Sequence, residues 1–422
     1  MSPAVFRPLR HRNFALVWSS ALISNIGSWM QVVALGVFVT ASTHDALWTG
    51  LVAAAAFLPN GLLAPVGGAL ADRFDRRRWL LWTTVGEALG AAALAWAAAA
   101  GVLSPALAVG LAFASGSVSA LGFPAYQAML PALVEGEDVF AAVTLSSAQY
   151  NLGRVIGPVL AAATLALGSY ATAFALNAAS FGAVVVALLM VRLPVRASAP
   201  GGRLFAEIRR GVRIALGEPG CRAAISLIGL TALLAAPFIG LIPAMAIEGL
   251  GLHGRAAQSA GTSTLVVAQG LGAVLSLLAV PTIANRVGRT MVLRAAMVIT
   301  GPLLVLYGLS PRLVLATPAL FLLGASYLAV LTGLNAVVQL RVPDHARARV
   351  LSLFTFSLSS FYTLGLVFQG DLAHRLGGGH GVRVVTVVSG VTYLGVVVAL
   401  MVLRPHWFHA LGDRQSAATA DT

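Results

Sequence analysis

Gly68-Ala-Leu-Ala-Asp72-Arg73-Phe-Asp75-Arg76-Arg77-Arg78 places four arginines and two aspartates between two long apolar runs. Each flanking run exceeds the roughly 20 helical residues that cross a bilayer core. Backbone polar groups in lipid must be satisfied within the segment, so such runs are read as helices. Working outward, apolar runs fall near 14–40, 47–71, 79–100, 105–127, 139–166 and 169–191. A second set follows near 220–247, 257–284, 290–309, 314–340, 349–370 and 382–403. The pattern predicts an all-α membrane protein with twelve transmembrane helices.

Composition agrees. Of 422 residues, 58% are hydrophobic and only 10% charged, with mean hydropathy +0.88. A soluble domain carries about 25% charged residues, which excludes an ordinary soluble enzyme, and the strong alternation of a membrane barrel is absent. All 27 basic residues are arginine. Without lysine there is no Walker-A phosphate loop and no Schiff-base chemistry. The net charge of +13 sits in the turns, so nucleic acid is not the expected partner. Single Cys221 cannot form an internal disulfide. The first apolar run is too long for a signal peptide and reads as a retained helix.

An even span count puts both termini on one side. Arg7, Arg10 and Arg12 mark that side as cytoplasmic by the positive-inside rule. Of the 27 arginines, 22 then fall in inner segments; Arg255, Arg312, Arg375 and Arg383 fall outside and Arg154 lies inside a span. A miscounted span would scramble this asymmetry. The expected location is the inner or plasma membrane, as a multi-pass monomer in the lipid bilayer. The expected organisation is a six-helix bundle over 1–191, a cytoplasmic linker over 192–219, a second bundle over 220–403 and a cytoplasmic tail over 404–422. The linker carries a short amphipathic helix around Phe205–Arg213, and disorder is expected beyond Leu411.

The halves repeat. Asp72-Arg73-Phe-Asp-Arg76 corresponds to Asn285-Arg286-Val-Gly-Arg289, Gln127…Pro131 to Gln339…Pro343, and Gly157 to Gly370. Parallel six-span repeats with a midplane substrate site are a recurrent plan of secondary transporters.

On these residues the chain resembles the major facilitator superfamily, in the twelve-span branch of siderophore exporters and macrolide-efflux proteins. Gly68-x-Leu70-Ala71-Asp72-Arg73-x-x-Arg76-Arg77 is similar to the signature between its spans 2 and 3, with Asp75 where glycine is usual. The resemblance implies two pseudo-symmetric six-helix bundles, and a conformational gate at Gly68, Asp72, Arg73, Arg76 and Arg77 repeated at Asn285, Arg286 and Arg289. It also implies that the gate favours the outward-open state. Gly153-Arg154-Val-Ile-Gly157-Pro158-Val-Leu-Ala161-Ala162 is similar to the superfamily's antiporter motif, with alanines for its last two glycines. Gly153 and Gly157 form a small-residue stripe for close helix packing, and Pro158 removes a backbone donor.

Ionisable groups inside spans are functional candidates. Arg154, with Tyr150 and Asn151, forms a polar turn that suits an anionic or carbonyl-rich substrate. Its alternative is an arginine that reaches backbone carbonyls or snorkels. Glu87, about 13 Å into its span, is either a proton carrier or a packing residue. Asn25, Gln31, Gln269, Asn335 and Gln339 are candidates to line the cavity, or interhelical glue. Trp29, Tyr126, Phe238 and Tyr362 offer apolar and stacking surface. All eight histidines lie in loops, span ends or the tail, so no metal or cofactor site is expected.

The expected function is proton-coupled export of a small amphipathic molecule by alternating access. The rivals are an importer of the same fold, a non-transporting sensor and an intramembrane enzyme. The last needs a nucleophile, base or metal set that the sequence does not display.

Overall fold

The computed structural model describes residues 3–191 and 204–412. Its elements are helical throughout. The first six long helices are α1 (Arg12–Thr43), α2 (Ala46–Arg73), α3 (Arg76–Ala99), α4 (Pro105–Met129), α5 (Val139–Leu167) and α6 (Tyr170–Met190). A linker helix α7 (Leu204–Gly217) follows at the predicted place. Then come α8 (Pro219–Leu234), the short α9 (Ile242–Ala244), α10 (Arg255–Val287), α11 (Arg289–Leu309), α12 (Leu313–Arg341), α13 (Asp344–Arg375), α14 (Gly378–Leu403) and α15 (Pro405–His409). The expected disorder beyond Leu411 concerns residues that, from 413 onward, lie outside the described part.

Among the described residues, eleven helices are long and apolar enough to cross a membrane. The exception is the predicted span 220–247. It starts as α8, 16 residues long, and continues through a 3-10 turn at Ala236–Phe238, α9 and a π-turn at Met245–Gly249. The hydropathy of this stretch is unbroken, yet Pro237 and Pro243 each lack the amide an α-helix would use, and Gly240 lies between them. The twelfth span is therefore a discontinuous one.

The repeat read from sequence reappears in the packing. α3 lies against α6 and α4, as α11 lies against α14 and α12. α1 lies against α5 and α6, as α8 lies against α13 and α14. The chain forms two compact units whose membership interleaves. One comprises Met1–Thr43, Ala55–Gly201 and Leu252–Val267; the other comprises His44–Ala54, Gly202–Gly251 and Ala268–Thr422.

Close backbone approach explains why the start of α2 belongs with the second unit. A Cβ on Gly50 would stand 2.5 Å from the Leu366 carbonyl oxygen, and one on Gly370 3.0 Å from that of Ala46. Charge pairs reinforce this seam. His44 Nδ1 lies 2.8 Å from Glu248 Oε1, and His374 Nδ1 lies 3.0 Å from Asp45 Oδ2. Asp45 also caps α2, accepting from the Leu47 amide at 2.8 Å. At the other end of the second unit, Glu218 caps α8 and pairs with Arg341 at 3.1 Å. Arg341 also donates to the Gly412 carbonyl, and Arg294 donates to that of Phe408 at 2.8 Å. The segment after α14 is thus strapped down, with Phe408 and Leu411 buried.

Candidate functional site

The Gly68–Arg78 turn is built by helix-end chemistry. Asp75, the departure from the superfamily pattern, is the N-cap of α3: its Oδ1 accepts from the Arg78 amide at 2.9 Å. At the repeat position Gly288 caps α11 with φ +90° and no side-chain bond. One turn uses an acceptor side chain and the other a backbone angle that only glycine adopts cheaply. Replacing Asp75 by Ala is expected to cost about 1 kcal/mol, read as a lowered melting temperature in detergent, and Asp75→Asn is expected to retain most of the stability.

The arginines of the turn point to carbonyls. Arg76 donates to the Ala128 oxygen at 3.0 Å, and Arg77 to those of Leu188 and Leu189 at 2.5 and 2.9 Å. They neutralise the otherwise orphaned C-terminal groups of α4 and α6. Arg383 does the same for α11, donating to Gly308 and Leu309. A guanidinium fork suits this double contact better than an ammonium. The Asp72 side chain lies outside the described residues. Gly68 has open space where a Cβ would stand, and Arg73, Asn285, Arg286 and Arg289 are exposed.

In the first unit the predicted polar turn of α5 forms a cluster with α1. The Arg154 guanidinium carbon sits 5.4 Å from the centre of the Trp29 ring. Tyr150 meets the same indole edge-on, with ring centres 5.9 Å apart. Such a cation–aromatic contact contributes on the order of 0.5–2 kcal/mol. The small-residue stripe makes it possible. A Cβ on Gly157 would stand 2.5 Å from Trp29 Cβ, and one on Gly153 2.9 Å from Asn25 Cβ. Close approach of α1 and α5 therefore carries Asn25 and Trp29 up to Arg154, while Pro158 is buried in a continuous helix. α13 approaches α8 as closely at Gly365, whose added Cβ would meet the Leu233 carbonyl at 2.4 Å.

Other predicted residues fall elsewhere. Gln31 accepts a hydrogen bond from Asn177 of α6 at 2.8 Å; Asn177 is buried and also holds Ser180. Glu87 is partly buried between α3 and α4, hydrogen-bonded to Ser119. Asn151 donates to Ser147 on its own helix. Tyr126 contacts Ser146 and the buried Gln149 at 3.3 and 3.4 Å. Asn177 and Gln149 escaped the sequence reading, although Asn177 is a lone amide in an apolar run and Gln149 stands beside Tyr150 and Asn151.

In the second unit Asn335 and Gln339 stand one turn apart on α12, joined by a hydrogen bond from Gln339 Nε2 to Asn335 Oδ1. They line a cavity of 540 Å³ with Thr332, Phe354, Thr355 and Leu358. Gln269 is absent from this lining: it is buried where α10 crosses α12 at Gly324. Phe238 meets Tyr327 edge-on with ring centres 5.9 Å apart. Thr355 and Phe354 were not singled out from sequence; only their register on α13 places them beside the amide pair.

In the first unit a cation beside an aromatic pair can hold an acidic, ring-bearing molecule; in the second, a pair of amides can hold an oxygen-rich one. Among the described residues no three His, Cys, Asp or Glu side chains group to hold a metal.

The chain is similar to known proteins. A family model described as transmembrane secretion effector matches residues 3–417. The chain is 29% identical to the staphyloferrin A transporter of Staphylococcus aureus over 42% of its own length, a match that spans 45% of that relative. It is 28% identical to the enterobactin exporter EntS of Citrobacter koseri, over 86% of this chain and 85% of that one. Among solved structures, a bacterial homologue of the human lysosomal transporter Spinster superposes with TM-score 0.74 at 15% identity, covering 96% of this chain and 99% of that one. The nucleoside transporter NupG superposes with TM-score 0.70 at 14% identity, covering 92% and 98%. At these identities the structural likeness speaks for the fold.

Proposed function

Because the chain belongs to the transmembrane secretion effector family of the major facilitator superfamily, we propose that this membrane transporter is a proton-coupled exporter of a small, anionic, oxygen-rich amphiphile of the siderophore or drug type. The single observation that carries the reading is Arg154 over Trp29, with Tyr150 on the same indole. A charge held inside a span is retained at a cost, and here its surroundings fit a flat or acidic ligand. The exporter relatives favour the outward direction. Within the second unit, Asn335 and Gln339 offer a polar surface of their own.

Transport proceeds by alternating access, with the arginine-rich helix ends and both termini on the cytoplasmic side. The turn at Gly68–Arg78 and its copy are the conformational gate. The proton is placed at Glu87, the one acid deep within a described span. Everted vesicles test this reading with iron-free catecholate and carboxylate siderophores as probes. Uptake is expected to require an acid-inside gradient, and Glu87→Gln is expected to abolish that requirement. Gradient-independent behaviour of every probe overturns proton-coupled export. Unchanged coupling in Glu87→Gln moves the proton to another group.

A further inference from the structure

A second cavity, of 340 Å³, lies on the arginine-rich end of the second unit, among α10, α11 and α12. Its volume is within the roughly 300–1,000 Å³ of ligand pockets. Its lining is largely apolar: Leu277, Val280, Ala329 and Val337 contribute. Its mouth is polar, formed by Asn285, Arg289 and Thr290, with Arg341 and the strapped Leu411–Gly412 segment closing one edge. Among the described residues no carboxylate lines it. Arg341 is engaged by Glu218 and the Gly412 carbonyl. Arg289 is different: it is exposed, and none of the hydrogen bonds or ion pairs of the described residues engages it.

An apolar cleft between helices with an available guanidinium at its rim fits one class of molecule, a chain-bearing anion. A basic pocket between transmembrane helices on the cytoplasmic side is where an anionic lipid headgroup is held, and the surface potential of that leaflet enriches such lipids. We infer that this cavity binds an anionic phospholipid of the inner leaflet, with its phosphate at Arg289 and an acyl chain between α10 and α12. The orientation rests on the sidedness proposed above; the site itself is separate from the Arg154 cluster. Its location also gives the lipid a lever. Thr332 and Ala336 line both this cavity and the one that holds Asn335 and Gln339. A lipid seated here presses on the back of the helix that carries the amide pair.

Native mass spectrometry of the detergent-purified full chain tests the site, with phosphatidylglycerol, phosphatidylethanolamine and glycerol phosphate as separate probes. One phosphatidylglycerol is expected to be retained, at least tenfold more strongly than phosphatidylethanolamine. Arg289→Gln is expected to weaken it about tenfold, the loss of one charge-assisted contact, and Val280→Phe to exclude it by filling the cleft. Equal retention by the Arg289→Gln and Val280→Phe variants overturns the proposal. So does equal retention of phosphatidylethanolamine. Glycerol phosphate binding as tightly as the phospholipid would make this a free-anion site and overturn it as well. None of these readouts involves transport, so the lipid site and the exporter reading fail independently.

Discussion

Replacing Arg154 by leucine is expected to lower transport by more than tenfold while the protein remains folded. Tenfold corresponds to about 1.4 kcal/mol of lost transition-state stabilisation, well within what one charged contact to an anionic ligand supplies away from water. The guanidinium carbon sits 5.4 Å from the Trp29 ring centre, and the folded protein loses that cation–aromatic contact, worth on the order of 1 kcal/mol. It also sheds the cost of holding a charge within the membrane. The melting temperature is therefore expected to move little. Arg154→Lys keeps the charge but not the planar fork, and is expected to fall between wild type and Arg154→Leu. Trp29→Leu removes the aromatic face and is expected to be the milder change. Transport in everted vesicles together with scanning fluorimetry separates these outcomes. An Arg154→Leu protein that transports at the wild-type rate would leave Arg154 a snorkelling or packing residue.

The largest effect on stability is expected where α10 crosses α12. A Cβ on Gly272 would stand 1.8 Å from the Phe321 carbonyl oxygen, and one on Gly324 2.3 Å from that of Gln269. Both obstacles are backbone, so neither helix can yield by changing a rotamer. Overpacking of a tight interior costs about 1–3 kcal/mol when side chains can adjust, and a backbone clash exceeds the upper end. Gly272→Leu and Gly324→Leu are each expected to remove most of the folded protein from a membrane preparation, read by size-exclusion fluorescence. Gly395 lies in α14 with open space where a Cβ would stand. Gly395→Ala is expected to be neutral or slightly stabilising, by up to ~1 kcal/mol of helix propensity. The contrast tests the packing argument, because all three substitutions remove a helical glycine.

Much of the fold was legible in the sequence because lipid imposes one-dimensional rules. Hydropathy and length mark spans, arginine placement predicts sidedness, and the repeated turn at 72–76 and 285–289 announces a duplicated unit. The discontinuous span at 219–249 was less legible. Its apolar run is continuous, and hydropathy is blind to the missing amides of Pro237 and Pro243. The candidate residues divided in a similar way. Arg154 was visible as an isolated charge, and its neighbour Trp29 as an aromatic. Glu87 and Gln31 looked equally eligible, but their surroundings depend on helix rotation. One faces Ser119 and the other Asn177, both through helix–helix contacts far apart in sequence.

By itself, then, the sequence determined the helical membrane architecture, its duplication and the charged turn at Gly68–Arg78, while the capping role of Asp75 came from the structure. These follow from composition and from groups within a few residues of one another. The tertiary structure decided which polar side chains meet: Arg154 with Trp29, Asn335 with a cavity, Gln31 with Asn177, and Arg289 at the rim of an apolar cleft. The physical reason is that span residues are chosen for the bilayer all around the helix. Their periodicity therefore carries little information about which face turns inward. Only close contacts, such as Gly157 against Trp29 and Gly272 against Phe321, fix the rotation that sorts a site from its scaffold.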